Sequence, residues 1–197
     1  MVSPVPKDSR YIPLTQQKSC CVPTCIQMVM LRHKIPLLPA EEIGYYLGLI
    51  VDPENTTLFY DPRTSKKRPP AGYGTRIYDP KYEPNKAFKK LNIPLSFKVH
   101  PITGFKSAPQ LLDFLRRAET ENLDMLLCFN HGVLVDNPAK SGGHVCVFDR
   151  VIDGQIRIID PSYHHPKWRS VPAEKMFLAT KKHGVKKSAG AWELTKL

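Results

Sequence analysis

Hydrophobic positions recur at helical spacing through much of the first half of the chain. From residue 21 to about residue 34, apolar side chains are separated by three and four positions, which predicts a helix with one buried face. Pro23 fits the first turn of this helix, where its missing N–H costs no hydrogen bond. The same spacing predicts helices over residues 39–47 and 84–91, and another running from the cap Ser107 to about residue 118.

Short apolar runs in the second half predict β-strands. Residues 95–99 alternate, and the runs 125–129, 145–151 and 156–159 have strand length. Asp153-Gly154 separates the last two runs and is typical of a hairpin turn. Helices followed by strands indicate an α+β fold with segregated layers.

Two segments interrupt this pattern. Residues 51–82 contain repeated prolines and glycines, so we predict mostly loop, and a loop of this length is usually functional. We expect it to border a substrate cleft, where Lys66, Lys67 and Arg68 would attract an acidic segment of the substrate. Beyond about residue 178 the chain is polar and rich in lysine. We therefore predict one domain over residues 1–180 and a loosely held basic tail over residues 181–197.

Composition narrows the class of protein. The 197 residues are 42% hydrophobic and 24% charged, as in an ordinary globular domain. We find no apolar run of signal-peptide length and none of the roughly 20 residues that span a bilayer, so we predict a cytoplasmic protein without a membrane partner. Five cysteines are an odd number, and three of them crowd into residues 20–25, which favours reduced thiols over a disulfide framework.

The formal charge of +11 predicts attraction to acidic partners without identifying one. The sequence has no zinc-finger spacing, no RNA-binding aromatic signature and no glycine-rich phosphate loop. We therefore expect a solvated basic surface rather than a nucleic-acid site, and a peptide or protein substrate with acidic character. No motif indicates a cofactor.

Candidate chemistry lies in two distant segments. Cys21 stands at the start of the first predicted helix, where the helix dipole and free backbone N–H groups favour a thiolate. Gln16 and Gln17 precede it, and either could donate an amide N–H to an oxyanion that forms at the thiol. The adjacent Cys20 leaves the identity of the nucleophile open.

The predicted hairpin brings a histidine and a carboxylate to one sheet edge. His144 begins one strand and Asp160 ends the next, so the turn between them places both at the same end. A carboxylate there could orient the imidazole and stabilise its charged form. Gly142 and Gly143 leave room for a substrate backbone in front of the histidine. These groups together make up a cysteine nucleophile with an oriented base.

We predict no chemical role for the other thiols. Cys25, Cys128 and Cys146 lie in apolar runs and are predicted to be small core residues. A metal site built from Cys20, Cys21, Cys25 and His144 would lack the C-x-x-C ligand spacing of zinc proteins, so we predict no metal.

The order of these motifs resembles a known family. The run from Cys21 to Met30, the pair Gly74-Thr75, the segment beginning Gly143-His144 and the segment ending Asp160-Pro161 are similar to the bacteriocin-processing, double-glycine-type cysteine peptidases of the papain-like superfamily. The similarity covers roughly residues 10–165. It implies a papain-like fold, with a helical lobe that carries the cysteine packed on an antiparallel sheet lobe that carries the histidine and aspartate.

The resemblance also implies roles. Cys21 would be the nucleophile, His144 the general base and acid, Asp160 its orienter and the upstream glutamine the oxyanion donor. We therefore predict a thiol hydrolase that cleaves a peptide or isopeptide bond through an acyl-enzyme. A deamidase or acyl transferase would use the same residues. Val22 stands where the family commonly has glycine, which keeps an inactive peptide-binding module as a further alternative.

Overall fold

The fold is described by a computed structural model that covers residues 6–54 and 68–197. Within these ranges the helices are α1 (Cys21–Arg32), α2 (Ala40–Tyr46), α3 (Pro84–Leu91), α4 (Ala108–Thr120), α5 (His131–Leu134) and α6 (Ala173–His183). The strands are β1 (Leu95–Pro101), β2 (Asp124–Asn130), β3 (Gly143–Ile152), β4 (Gln155–Ile159), β5 (Trp168–Pro172) and β6 (Gly190–Lys196). The predicted helices and strands up to residue 159 are all present, with ends shifted by a few residues.

One antiparallel sheet organises the molecule. Its strand order is β1-β6-β2-β3-β4-β5, and every neighbouring pair is antiparallel. Helices α1, α2 and α3 pack on one face, whereas α4 and α6 pack on the other. The predicted α+β class with an antiparallel sheet is confirmed. The helices, however, cover both faces of the sheet.

The central strands are buried on both faces, which explains why apolar and polar residues do not alternate in their sequences. Leu126 and Cys128 of β2 point towards α1, whereas Met125, Leu127 and Phe129 point towards α4 and α6. A strand that is buried on both faces reads as a continuous apolar run. The whole of β2 is buried.

The hairpin between β3 and β4 turns at the predicted dipeptide. Asp153 and Gly154 both have positive φ, of 48° and 74°, as a tight two-residue hairpin turn requires. A β-bulge interrupts the pairing between Phe148 and Arg150. The residue between them, Asp149, is fully buried and accepts a hydrogen bond from the backbone N–H of Arg10 at 3.2 Å. The bulge thus attaches the N-terminal segment to the sheet.

The prediction of a loosely held tail over residues 181–197 is wrong. Helix α6 continues to His183, and β6 lies inside the sheet between β1 and β2. Helix α6 buries small or flexible side chains at helical spacing, namely Ala173, Met176, Ala179 and Thr180, while its lysines are exposed or half-buried. Such a face is only weakly hydrophobic, and for this reason the lysine content dominated the prediction.

The structure describes only part of the predicted loop over residues 51–82. Residues 55–67, and with them Lys66 and Lys67, lie outside the described residues. The described part bears isolated bridges from Ile50 to Gly74 and from Val51 to Ala71, followed by a 3-10 turn at Pro80–Tyr82. Arg68 is exposed. Among the helices of the described ranges, none combines the length and apolar character needed to cross a membrane.

Candidate active site

Cys21 is the first residue of α1, the helix that packs on β3. One turn further along the helix, the thiol of Cys25 donates to the backbone carbonyl of Val145, with a sulfur–oxygen distance of 3.4 Å. This contact fixes α1 along β3, so that Cys21 lies close to the residue preceding Val145, which is His144. Cys21 is 4% exposed and lines a cleft.

His144 and Asp160 form a buried pair. The imidazole Nε2 lies 2.7 Å from the carboxylate Oδ1 of Asp160. The register that pairs Val147 with Ile159 would set Asp160 opposite Cys146, on the same strand face as His144. The carboxylate therefore binds the imidazole two residues along that face, and Nδ1 is the ring nitrogen left for another partner.

Further donors hold the Asp160 carboxylate. The backbone N–H of Ser162 donates to Oδ1 at 2.9 Å, and Arg169 Nη1 lies 3.0 Å from Oδ2. Burial alone would raise the pKa of Asp160, but the bonds from His144, Ser162 and Arg169 hold that pKa well below its ordinary value. The carboxylate is therefore ionised and fixed in orientation.

The charged form of His144 is favoured by its surroundings. Burial would lower the pKa of the imidazole, but interactions with Cys146, Asp160 and Cys21 outweigh it, and the pKa lies well above its ordinary value. Burial raises the pKa of Cys146 to about 12, so this thiol is neutral near pH 7. We therefore assign the stabilising charge to Asp160. Of the two cysteines that act on the ring, Cys21 is the one that borders the cleft.

The two adjacent thiols occupy different environments. Cys20 is fully buried in a small cluster with Leu49 and Val51, and burial raises its pKa to about 12. Cys21 borders the cleft together with His144. Since the thiolate is the reactive form of cysteine, this geometry favours Cys21 over Cys20 as a nucleophile.

The two glutamines also differ. The Gln17 side chain is directed to Glu41, to which its Nε2 donates a hydrogen bond. The Gln16 backbone N–H instead donates to the carbonyl of Pro161 at 2.9 Å, beside Asp160. The side-chain Oε1 of Gln16 is buried without a partner among the described residues. Gln16 is thus the glutamine held at the His144–Asp160 end of the site, although neither glutamine lines the cleft.

The cleft has a volume of about 310 Å³. Aromatic side chains and the backbone of the two predicted glycines form much of its wall, and His183 and Lys187 stand at one side. Sequence reasoning singled out none of Tyr73, Tyr78, His183, Lys187 and Trp192, although the loop that it expected to border the cleft contains the first two. The first two follow the segment 55–67, and the others come from the region predicted to be a tail.

A second layer of imidazoles packs behind His144. The ring centroids of His131 and His144 are 4.8 Å apart, and those of His131 and His165 are 5.1 Å apart. Burial, with the nearby His144, lowers the pKa of His131 to about 4, so its ring is neutral near pH 7. A neutral ring can pack against an imidazolium without charge repulsion.

The same cluster contains three potential metal ligands. Ligand atoms of His131, His144 and Asp160 lie within 4.8 Å of one another. The Asp160 carboxylate, however, already binds the guanidinium of Arg169, and this charge disfavours a second cation beside it. The arrangement fits a proton-transfer pair better than a metal site.

Comparison with known proteins gives a structural match. No family model matches the chain, and no curated protein matches its sequence. A crystal structure from Bacillus anthracis, described as that of a "putative C39-like peptidase", aligns with a TM-score of 0.57 and 16% sequence identity. The alignment covers 94% of this chain and 95% of that chain. At this identity the match shows that this chain shares the fold of that protein.

Proposed function

We propose that the protein is a thiol hydrolase that cleaves a peptide or isopeptide bond through an acyl-enzyme. Cys21 is the nucleophile, His144 the general base and acid, and Asp160 the residue that orients His144. The observation that carries this proposal is the buried His144–Asp160 bond of 2.7 Å beside a thiol at the start of α1. The fold shared with a C39-like protein supports the same reaction class.

Each step follows from these groups. The Cys21 sulfur attacks the carbonyl carbon of the substrate, and the carbonyl electron pair moves to oxygen to give an oxyanion. The oxyanion collapses, the carbon–nitrogen bond breaks, and the imidazolium of His144 donates its proton to the leaving amine. His144 then takes a proton from water, whose oxygen attacks the thioester, and the sulfur leaves as thiolate. Asp160 keeps the imidazole aligned through both steps.

The oxyanion needs donors near the sulfur. The first N–H groups of a helix have no intrahelical partner, and the backbone N–H of Cys21 is one of them. Gln16 is the proposed second donor, because its backbone is bonded beside Asp160 whereas Gln17 is bonded to Glu41. Since Gln16 does not line the cleft in this structure, its side chain must turn towards the substrate. Loss of an oxyanion donor typically lowers kcat by two to three orders of magnitude, which is the loss expected for Gln16→Ala, with Gln17→Ala as the control.

Selective alkylation tests the proposal without a known substrate. Iodoacetamide at pH 6 should label Cys21 first, as mapped by mass spectrometry, because a thiolate paired with imidazolium persists at a pH where an ordinary thiol is protonated. His144→Ala should slow this labelling, whereas Cys20→Ala should leave it unchanged. Preferential labelling of Cys20, or equal rates in the wild type and His144→Ala, would contradict the proposal.

An inactive peptide-binding module is the second candidate function, and Val22 is the residue that favours it. Val22 is one of the residues that line the cleft, and it stands where the resembling family commonly has glycine. A narrower cleft could retain a peptide without turning it over, as an inactive binding module would. Rapid labelling of Cys21 together with no turnover of any peptide would favour this module. Release of ammonia from glutamine side chains would instead indicate a deamidase.

A further inference from the structure

Lys187 stands at the wall of the cleft that contains Cys21 and His144. The side chain is exposed, and no ion pair joins it to a carboxylate of the described residues. None of the described residues that line the cleft is acidic. Among the described residues of the wall, Lys187 is therefore the cation that is not already paired with a carboxylate, since His144 is bonded to Asp160.

The turn that carries Lys187 is held in place. Its backbone N–H donates to the carbonyl of Gly184 at 3.1 Å, closing a 3-10 turn between residues of positive φ, Gly184 at 89° and Ser188 at 59°. The indole N–H of Trp192 donates to the carbonyl of Ser188 at 2.7 Å. The turn is thus anchored to the buried Trp192 of the central strand β6, so Lys187 has a fixed origin.

His183 connects this turn to the candidate catalytic strand. A Cβ added to Gly143 would lie 2.5 Å from the ring of His183, so this imidazole packs directly against the residue that precedes His144. Burial and the nearby Lys187 lower the pKa of His183, while a hydrogen bond to the backbone of Lys187 opposes that shift. His183 is therefore a neutral ring that lies between Lys187 and the strand of His144, and its one N–H holds the Lys187 backbone in place.

We propose that Lys187, on a turn held by His183 and Trp192, forms a carboxylate-binding subsite of the cleft, so that the preferred substrate carries an acidic group close to the bond that is cleaved. The inference deepens the proposed hydrolase function and rests on it. The lysine ammonium contributes a point charge with three N–H donors, which a substrate carboxylate can accept, whereas the single N–H of the neutral His183 is already donated to the Lys187 backbone. The exposed position predicts a modest, salt-sensitive contribution.

Two small alkylating agents test the charge at the thiol. Iodoacetate carries a carboxylate and iodoacetamide is its neutral counterpart, so the ratio of their rates at Cys21 reports the local preference for an anion. Lys187→Gln should lower this ratio by about two- to fivefold at low salt, as expected for one exposed charge. The difference should shrink when salt is raised to about 0.5 M. Lys186→Gln is the matched control, because Lys186 is exposed on the same turn and does not line the cleft.

The outcomes separate the two proposals. An unchanged ratio in Lys187→Gln, or an equal fall in Lys186→Gln, would overturn the subsite while the iodoacetamide rate alone still measures the nucleophile. If Cys21 is not selectively labelled, the hydrolase proposal fails, and the subsite is tested by NMR titration of the Trp192 indole N–H. N-acetyl-Glu-Gly-amide should shift that signal in the wild type more than N-acetyl-Gln-Gly-amide does, and the difference should disappear in Lys187→Gln. Equal shifts with both peptides in the wild type would refute the subsite.

Discussion

Asp160→Asn should destabilise the fold as well as impair the site. The substitution keeps the size of the side chain but removes a fully buried charge that accepts bonds from His144, Ser162 and Arg169. An amide has only one accepting oxygen, so its NH₂ group must face one of these donors. Arg169 would lose its carboxylate partner.

The magnitude follows from the burial of the two partners. Removing one member of a buried ion pair costs about 3–5 kcal/mol, because the remaining charge is left without compensation. Arg169 retains 18% exposure and can turn towards water, so we expect the lower end, about 3 kcal/mol. This loss is large against the 5–15 kcal/mol that stabilise a typical domain.

Urea denaturation at pH 7 measures this cost. Asp160→Asn should lower the midpoint with little change in slope, and the double variant Asp160→Asn/Arg169→Gln should recover part of the loss. Asp8→Asn is the control, since Asp8 also pairs with arginines but is 47% exposed, and its loss should be much smaller. A loss below about 1 kcal/mol in Asp160→Asn, or no recovery in the double variant, would refute the reasoning.

Two further predictions concern pH and backbone strain. The folded pKa of His144 lies above its ordinary value of 6.5, so the stability that its charged form contributes is complete below about pH 6.5 and is lost as pH rises through the raised pKa. The pKa of Asp160 lies below its ordinary value of 3.8, so the stability that its carboxylate contributes is complete above about pH 4 and is lost as pH falls. Urea midpoints across pH should show both losses in the wild type, and a profile equally steep in Asp160→Asn would contradict this assignment. Gly190→Ala should lower the free energy of unfolding by about 3 kcal/mol or more, because its Cβ would lie 2.1 Å from the carbonyl oxygen of His100. Gly154→Ala, also at positive φ but in open space, should lower it by only about 1–2 kcal/mol. Equal melting temperatures for the two variants would argue against the close strand contact.

The sequence was informative where burial left a strong pattern. The helix at residues 84–91 was predicted with its correct bounds, and the hairpin turn at Asp153-Gly154 was identified because its conformation restricts residue choice. Strand β6 was missed although Trp192 and Leu194 alternate in it, because the lysines before it suggested an unstructured tail. Burial of small residues in α6 likewise leaves little hydrophobic signal.

The candidate site shows the same division. The approach of His144 to Asp160 followed from hairpin symmetry, although the bulge at Asp149 shifts the register by one residue. The choice between Gln16 and Gln17 depends on Glu41, a partner 24 residues from Gln17, and no local pattern contains it. Lys187 and His183 reach the cleft only through the position of β6. Long-range contacts of this kind are set by the assembled fold, so their absence from the predictions has a physical origin.

The position of β6 makes assembly of the sheet depend on chain order. Strands β1 and β2 are neighbours in sequence but are not paired with each other, because β6, about 60 residues beyond β2, lies between them. Until β6 inserts, each of these strands has an open edge that can pair wrongly, and closing so long a loop slows folding. A trapped intermediate would contain the β2–β3–β4 meander with His144 near Asp160 but without Trp192 or Lys187 in the cleft. Amide protection during refolding should therefore appear late in β1 and β6, and the cleft wall should be the last part of the site to form.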